Sequence, residues 1–522
     1  MLGFLRPLGR RFAIPIAAGG LLLIGAGVSA GHRSAENNVA SATIRASLDV
    51  SEEPSLARFY AARGYRPVWL RGGALGPEGV RAIEVLDRAE DHGLSRSSYV
   101  TPETSTLVRE AQDGGLDPAA AGRLEAELSS AFVRYARDLR RPAPSHDLIR
   151  VAGIGPRRAV DSGRTLELVF DAGGAAGVDA ALQMHPDYLR LSAALADWRS
   201  MWERLPTPRL GQGQTVMPGQ RDARMPTLRV RLGVSPGRSN ADLLDRDLSR
   251  RLTQFQRWHG LEETGSLDPA TVDALNVDPV EYEQRLITNL DRLRALPAEP
   301  GERYVVVNAA EAALTAYDRG APVKRMRVIV GRPETPTPMM AGLIQYVVLD
   351  PYWNIPLDLV RNDIAPAVLR NGPSSLDRRG MEALSDWSPS ARRLAPADID
   401  WPAVASGQNP LRVRQRPGPH NMMGRVKFML PNDLGIYLHD TPLRALFDRD
   451  RRTLSAGCVR LEDARWLAQW LSGIEIARAP GQPADQRVDL RRPVPLFIIY
   501  QTASPRPGGG LVFLPDVYGR DG

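Results

Sequence analysis

The chain reads as a multidomain α+β protein: a helical N-terminal half, a small helical unit, and a mostly β C-terminal domain with an inserted, lid-like subdomain. Three observations predict this. Apolar residues recur at helical spacing through the first two hundred positions, as in Val80, Ile83 and Leu86 and again in Leu124, Leu128, Phe132 and Tyr135. From Tyr304 onward the texture changes to short β-branched runs separated by Gly or Pro. Between about 371 and 408, polar and Pro-bearing sequence breaks the β pattern over a length that suits a subdomain better than a loop.

Taken in order, residues 1–30 carry Arg6, Arg10 and Arg11, then an apolar run from Phe12 to Ala30 ending in Val28-Ser29-Ala30. A basic head, an apolar stretch and a small-residue exit predict an export signal. The run is also near the ~20 residues that span a bilayer, so an uncleaved membrane anchor is the alternative. Residues 31–50 are small and polar, a linker; 51–235 form the helical scaffold, and 236–300 a compact unit with its connecting helix. In that unit Leu244, Leu248, Leu252 and Phe255 share one helical face, and Asp268-Pro269 opens the next helix as N-cap and first residue. Residues 301–522 are the β domain, with runs such as Tyr304-Val305-Val306-Val307 and Met326-Arg327-Val328-Ile329-Val330.

Composition narrows the class. With 522 residues, 43% hydrophobic and 24% charged, the chain holds two to four packed domains and has no disordered or collagen-like bias. The net charge of +7 is nearly all arginine, since Lys324 and Lys427 are the only lysines. Such basicity suits an acidic polymer or an anionic membrane surface. Nucleic acid is set aside, because export and the lack of a basic–aromatic reading motif argue against it.

Chemistry concentrates in one place. The single cysteine stands in Ser455-Ala456-Gly457-Cys458-Val459-Arg460, downstream of Tyr437-Leu438-His439-Asp440. An exported chain with one thiol has no intrachain disulfide partner. A lone cysteine is more often a small buried hydrophobe, and a lone histidine a satisfied core or surface group. Alternation along Ile436 to His439, however, turns Tyr437 and His439 to one face and the apolar pair to the other. Leu461, Ala464, Leu467, Ala468 and Leu471 mark a helical face, so Cys458 is expected beside a helix start whose dipole favours thiolate. His439 then takes or holds the proton, and the N–H groups of Gly457 and Cys458 supply oxyanion donors.

These residues resemble the L,D-transpeptidase family (YkuD-like catalytic domain), whose signature is a histidine, a spacer, then Ser/Thr-x-Gly-Cys, an apolar residue and Asn or Arg. His439, Ser455, Gly457, Cys458, Val459 and Arg460 match it. Many relatives carry a second histidine before the Gly-Cys pair, where this chain has Ala456. Pro351-Tyr352-Trp353-Asn354-Ile355-Pro356, Arg416-Pro417-Gly418-Pro419-His420-Asn421 and the tail Asp516-Val517-Tyr518-Gly519 are similar to the large YcbB-type subgroup. The unit around 241–277 resembles a peptidoglycan-binding domain through Phe255-Gln256, His259-Gly260-Leu261 and Thr264-Gly265; a module that only packs helices is the alternative.

The resemblance implies a periplasmic enzyme, soluble or held to the inner membrane by its N-terminal segment, that makes 3-3 cross-links between peptidoglycan stem peptides. Cys458 is the implied nucleophile and His439 the base. Arg460 is assigned either to steering a stem carboxylate or to a salt bridge at the helix start. Tyr437, Ser455 and Trp353 complete the expected substrate-binding set, and carbapenems should acylate Cys458. Two other classes stay open: a hydrolase using the same cysteine, and a wall-binding scaffold without turnover. No cofactor or metal is expected, since His32, His92, His146, His185, His259 and His420 are scattered without ligand spacing. Oligomeric state is not legible.

Overall fold

The computed structural model describes residues 38–49, 53–151, 153–155, 159–235, 240–473 and 484–521. The expected export segment 1–30 lies outside the described residues. Among the described residues no helix is long and apolar enough to cross a membrane. Residues 38–49, expected as part of a linker, are helical. Ala40, Ile44 and Leu48 recur every four residues and are buried, which gives this stretch an apolar stripe to pack.

The chain divides into two units that interleave in sequence: residues 1–88, 95–136 and 160–182 in the first, and 89–94, 137–159 and 183–522 in the second. The first is helical, built on Pro54–Ala62, Pro77–Asp87, Pro102–Asp113, most of Pro118–Leu139, Ser162–Ala172 and Gly174–Ala181. Four of its helices open on proline at the first turn, where the missing N–H has no intrahelical partner to lose. Leu56, Tyr60, Trp69, Leu124, Leu128 and Phe132 form its core. Glu125 is fully buried there; its carboxylate accepts from the Tyr60 hydroxyl and from the backbone N–H of Val68, Trp69 and Leu70.

In the second unit a three-helix group, Met225–Leu232, Arg246–Trp258 and Pro269–Asn276, precedes a long helix, Pro279–Leu293. Asp268 caps its helix as expected, accepting from Thr271 N at 2.7 Å. His259 is a core residue: it stacks on Phe255 at 3.7 Å between centroids, and burial lowers its pKa to about 3.

The β domain is built on one ten-stranded sheet. We number its strands β1 (Ile149–Arg150), β2 (Arg303–Asn308), β3 (Ala313–Asp318), β4 (Ala321–Gly331), β5 (Met340–Leu349), β6 (Val426–Met429), β7 (Leu438–His439), β8 (Thr453–Ser455), β9 (Val459–Leu461) and β10 (Gln486–Ile499). They pair in the order β6-β7-β9-β4-β3-β2-β10-β5-β1, with β8 beside β4, and β6 also pairs β5. That last ladder, Val426↔Leu349 to Met429↔Tyr346, closes the sheet on itself and removes two edges. Burial runs unbroken through Tyr304 to Val307, as for a strand covered on both faces. Helix Ala464–Ser472 buries Ala464, Leu467 and Ala468.

Between β5 and β6 the chain leaves the sheet and builds a lobe of its own. The insertion expected at about 371–408 is the middle of this lobe, which runs from Trp353 to Gln415 and has a four-stranded sheet. The lobe is larger than expected because Val360, Ile364 and Val368 on one flank and Leu411 and Val413 on the other pack into one core around Trp401. A central segment alone would have left those apolar faces in water.

Candidate active site

Strand register assembles the site. β7 and β9 run parallel with Leu438 opposite Val459 and His439 opposite Arg460, while antiparallel β6 sets Lys427 against His439. Directly paired residues share a face and neighbours alternate, so Lys427, Tyr437, His439, Cys458 and Arg460 lie on one face. Leu438, Val459 and Phe428 turn to the other side and are fully buried. The cysteine and histidine predicted from sequence therefore stand together, and Tyr437 and Arg460 stand with them.

His439 is buried, and its Nδ1 lies 2.6 Å from the carbonyl oxygen of Asp440. A carbonyl only accepts, so Nδ1 carries the proton and Nε2 keeps its lone pair for the site. Burial first, then the charges of Arg460 and Lys427, hold the imidazole down to about 3. It is neutral at physiological pH.

Cys458 is half-buried, with its sulfur 3.6 Å from the Gly435 carbonyl. Burial raises the thiol pKa; hydrogen bonds from the Tyr437 backbone and side chain, and the charges of Lys427 and Arg460, pull against that rise. Burial thus works against the ion pair expected from sequence, disfavouring both the thiolate and the imidazolium. The helix-dipole argument fails for a geometric reason. Cys458 sits in the turn before β9, and the helix begins only at Ala464 behind its own cap, Asp463. What favours thiolate is the pair of cations and the Tyr437 donors.

The nucleophile turn is held by a short relay. Ser455 Oγ donates to Cys458 O at 2.6 Å and accepts from Gly457 N at 3.1 Å. Gly457 has φ +113°, open only to glycine without strain. Its N–H is committed to Ser455, so the oxyanion role expected of Gly457 does not hold. Ser455, expected to touch substrate, is 3% exposed and shapes the turn instead. Thr337 Oγ1 donates to Gly457 O and accepts from Gly331 N, both at 2.8 Å, and the Tyr518 hydroxyl donates to Gly331 O at 2.6 Å. The C-terminal tail thus reaches the nucleophile turn through Tyr518.

Trp353 is not at this face. It opens the inserted lobe and pairs with Gln415, lining a separate cavity with Arg379, Arg416 and His420. Local sequence could not separate a wall of the thiol pocket from a wall of the lobe. Conversely Lys427 was missed, since a single lysine in a β-branched run carries no signal until register pairs it with His439. Among the described residues Arg460 makes no ion pair, so the salt bridge at the helix start does not form there, and its buried Nε has no hydrogen-bond partner. Beside the sulfur a groove of about 650 Å³ runs between residues 429–437 and Tyr346, with Ile149, Arg150 and Val151 as one wall. Among the described residues no group of acidic, His or Cys side chains is arranged to hold a metal ion.

The chain is similar in sequence to known proteins. Residues 302–494 match the family model of the L,D-transpeptidase catalytic domain, 54–195 that of a scaffold domain, and 230–275 that described as "Putative peptidoglycan binding domain". A Haemophilus influenzae protein described as "Putative L,D-transpeptidase" is 35% identical over 244 residues, 46% of this chain and 48% of that protein. The chain thus spans about half the length of the curated relative it matches. Among solved structures, an L,D-transpeptidase from Mycobacterium smegmatis is 14% identical over 38% of this chain and 58% of its own, with TM-score 0.19. One from Xylanimonas cellulosilytica is 13% identical over 55% and 98%, with TM-score 0.16. Likenesses that slight carry no weight beside the family match. Residues 302–494 are thus similar to an L,D-transpeptidase catalytic domain, and this chain joins to them regions similar to a scaffold domain and to a peptidoglycan-binding domain.

Proposed function

We propose that this protein is a periplasmic L,D-transpeptidase that joins peptidoglycan stem peptides by 3-3 cross-links through a thioester on Cys458. The observation that carries the reading is the common face of Cys458, His439 and Tyr437 between two cations, with Nε2 of His439 free to accept a proton. Nε2 takes the thiol proton as sulfur attacks the carbonyl between the third stem residue, a diamino acid, and the terminal D-alanine. The developing thiolate is met by Lys427, Arg460 and the Tyr437 hydroxyl. The Cys458 N–H, which has no partner among the described residues, faces the carbonyl oxygen as its charge grows. Collapse breaks the C–N bond; the imidazolium returns its proton to the leaving amine of D-alanine, and the thioester remains. A side-chain amine of a second stem attacks that thioester, gives a proton to His439, and releases the thiol. The Asp440 carbonyl does the orienting work that a carboxylate does in other triads.

Water in place of the amine makes the same centre a carboxypeptidase, so the acceptor is the point to test. The domain of the peptidoglycan-binding type favours the sacculus as the place where a second stem is at hand. Intact mass after incubation with a carbapenem should rise by one acyl group in the native protein and not in Cys458→Ala. Muropeptide digests should then give tetrapeptide–tripeptide dimers; tripeptide alone would assign hydrolysis. Turnover by Cys458→Ala would remove the reading altogether.

A further inference from the structure

A second cavity lies away from the thiol, at the root of the inserted lobe. It has a volume of about 850 Å³ and opens between the 377–381 turn and the loop 415–422. Its charge is one-sided. Arg379 and Arg416 are exposed, and their guanidinium groups make no hydrogen bond or ion pair with any described residue. Among the described residues Arg378 beside them bonds only to neutral partners, Ser374 Oγ and Asn371 O. The one carboxylate on the rim, Asp377, is already taken by Arg393. Three guanidinium groups therefore converge on a concave surface with no anion to meet them. The floor is apolar, with half-buried Trp353 and buried Met381.

The walls are fixed before any ligand arrives. Buried Gln415 ties them together, its Nε2 donating to Arg379 O at 3.2 Å and His420 O at 3.1 Å while its Oε1 accepts from Met422 N at 3.0 Å. Arg416 N donates to Gly380 O at 2.8 Å, and buried Asn421 Nδ2 reaches Pro351 O and Arg416 O, each at 3.0 Å. Rigid backbone under unpaired cations lowers the ordering cost of binding an anion. The cavity is also wired to the site. The loop continues through Gly424, where an added Cβ would lie 2.4 Å from Asp440 Cγ, and Arg425 N donates to the Asp440 carboxylate at 2.8 Å. Asp440 is the residue whose carbonyl holds His439.

We propose that this cavity is a second substrate subsite, in which Arg379 and Arg416 bind carboxylates of an acidic peptide whose apolar portions rest on Trp353. The proposal rests on the transpeptidase reading above, with the stem peptide as the natural acidic ligand. Guanidinium forks suit carboxylates, and the apolar floor suits a ligand that joins carboxylates to a peptide body rather than a bare anion.

The test uses the full chain carrying Cys458→Ala, so that binding is read without turnover. Its probes are a soluble stem tetrapeptide with free carboxylates and the same peptide amidated. Arg379→Gln with Arg416→Gln should weaken the acidic peptide roughly tenfold at low salt, leave the amidated peptide unchanged, and be rescued by Arg379→Lys with Arg416→Lys in large part. In the chain with Cys458 intact, the Gln pair should raise KM with kcat held, while acylation by a carbapenem keeps its wild-type rate. Equal binding of both peptides, or no effect of the Gln pair, overturns the subsite. Displacement of the peptide by millimolar inorganic phosphate overturns its assignment to peptide carboxylates. Failure of carbapenem acylation in the native protein would count against the transpeptidase reading, and the equilibrium binding would still judge the cavity.

Discussion

Glu125 in the helical unit and His439 in the β domain are both buried ionisable groups, yet burial does different work in the two places. Glu125 is surrounded by donors: the Tyr60 hydroxyl and three backbone N–H groups use its lone pairs. Nothing there is left to react, and the carboxyl, raised to about 7 chiefly by burial, serves as a staple for the 68–70 backbone. Around His439 the inventory does not close. Nε2 keeps a lone pair, Arg460 Nε and the Cys458 N–H lack partners among the described residues, and the thiol reaches the surface. Buried polar groups that are fully paired hold a fold, and groups left unpaired beside an accessible nucleophile are placed for a substrate to complete.

The strongest way to break that comparison is His439→Gln. Loss of the base should cut kcat for acyl transfer by roughly 10²–10⁴-fold, with the thermal midpoint close to wild type; a loss below threefold would mean another group takes the proton. Glu125→Ala should do the reverse. Stranding three N–H groups and a phenol costs about 3 kcal/mol or more in denaturant titration, while carbapenem acylation below the transition stays at the wild-type rate.

The pH dependence has opposite signs at the two centres. Glu125 has a folded pKa of about 7 against an ordinary 4.5, so its contribution is full below 4.5 and declines as pH rises toward 7, by up to about 3 kcal/mol. His439 has a folded pKa of about 3 against 6.5, so stability is lost there as pH falls from 6.5 toward 3. The stability of wild type relative to Glu125→Ala should fall on going from pH 4.5 to 7, and that relative to His439→Gln should fall, from near zero to negative, on going from 6.5 downward. Slopes of the same sign would refute the contrast. The smallest effect belongs to Thr337→Val, which removes two hydrogen bonds behind the nucleophile turn. It should cost about 1–2 kcal/mol and lower kcat a few-fold without moving KM.

Much of this was legible in the chain itself. Short-range periodicity exposed the helical half, the Asp268 cap and the β runs, because those patterns are set by neighbours within a turn or a strand. Cys458 and His439 stood out for a similar reason, each in a local motif. The 38–49 helix and the full extent of the lobe were harder, since a few apolar residues at helical spacing count only once a partner face exists to bury them.

By itself the sequence determined which residue types are present to react: one thiol, one histidine in strand context, and arginine as nearly the sole cation. Tertiary structure decided their company. Pairing of β6, β7 and β9 brought Lys427 and Arg460 to the sulfur, the turn before β9 committed the Gly457 N–H to Ser455, and pairing with Gln415 placed Trp353 in the lobe. It also set the charge state, because desolvation depends on what packs around a group and not on its neighbours in sequence.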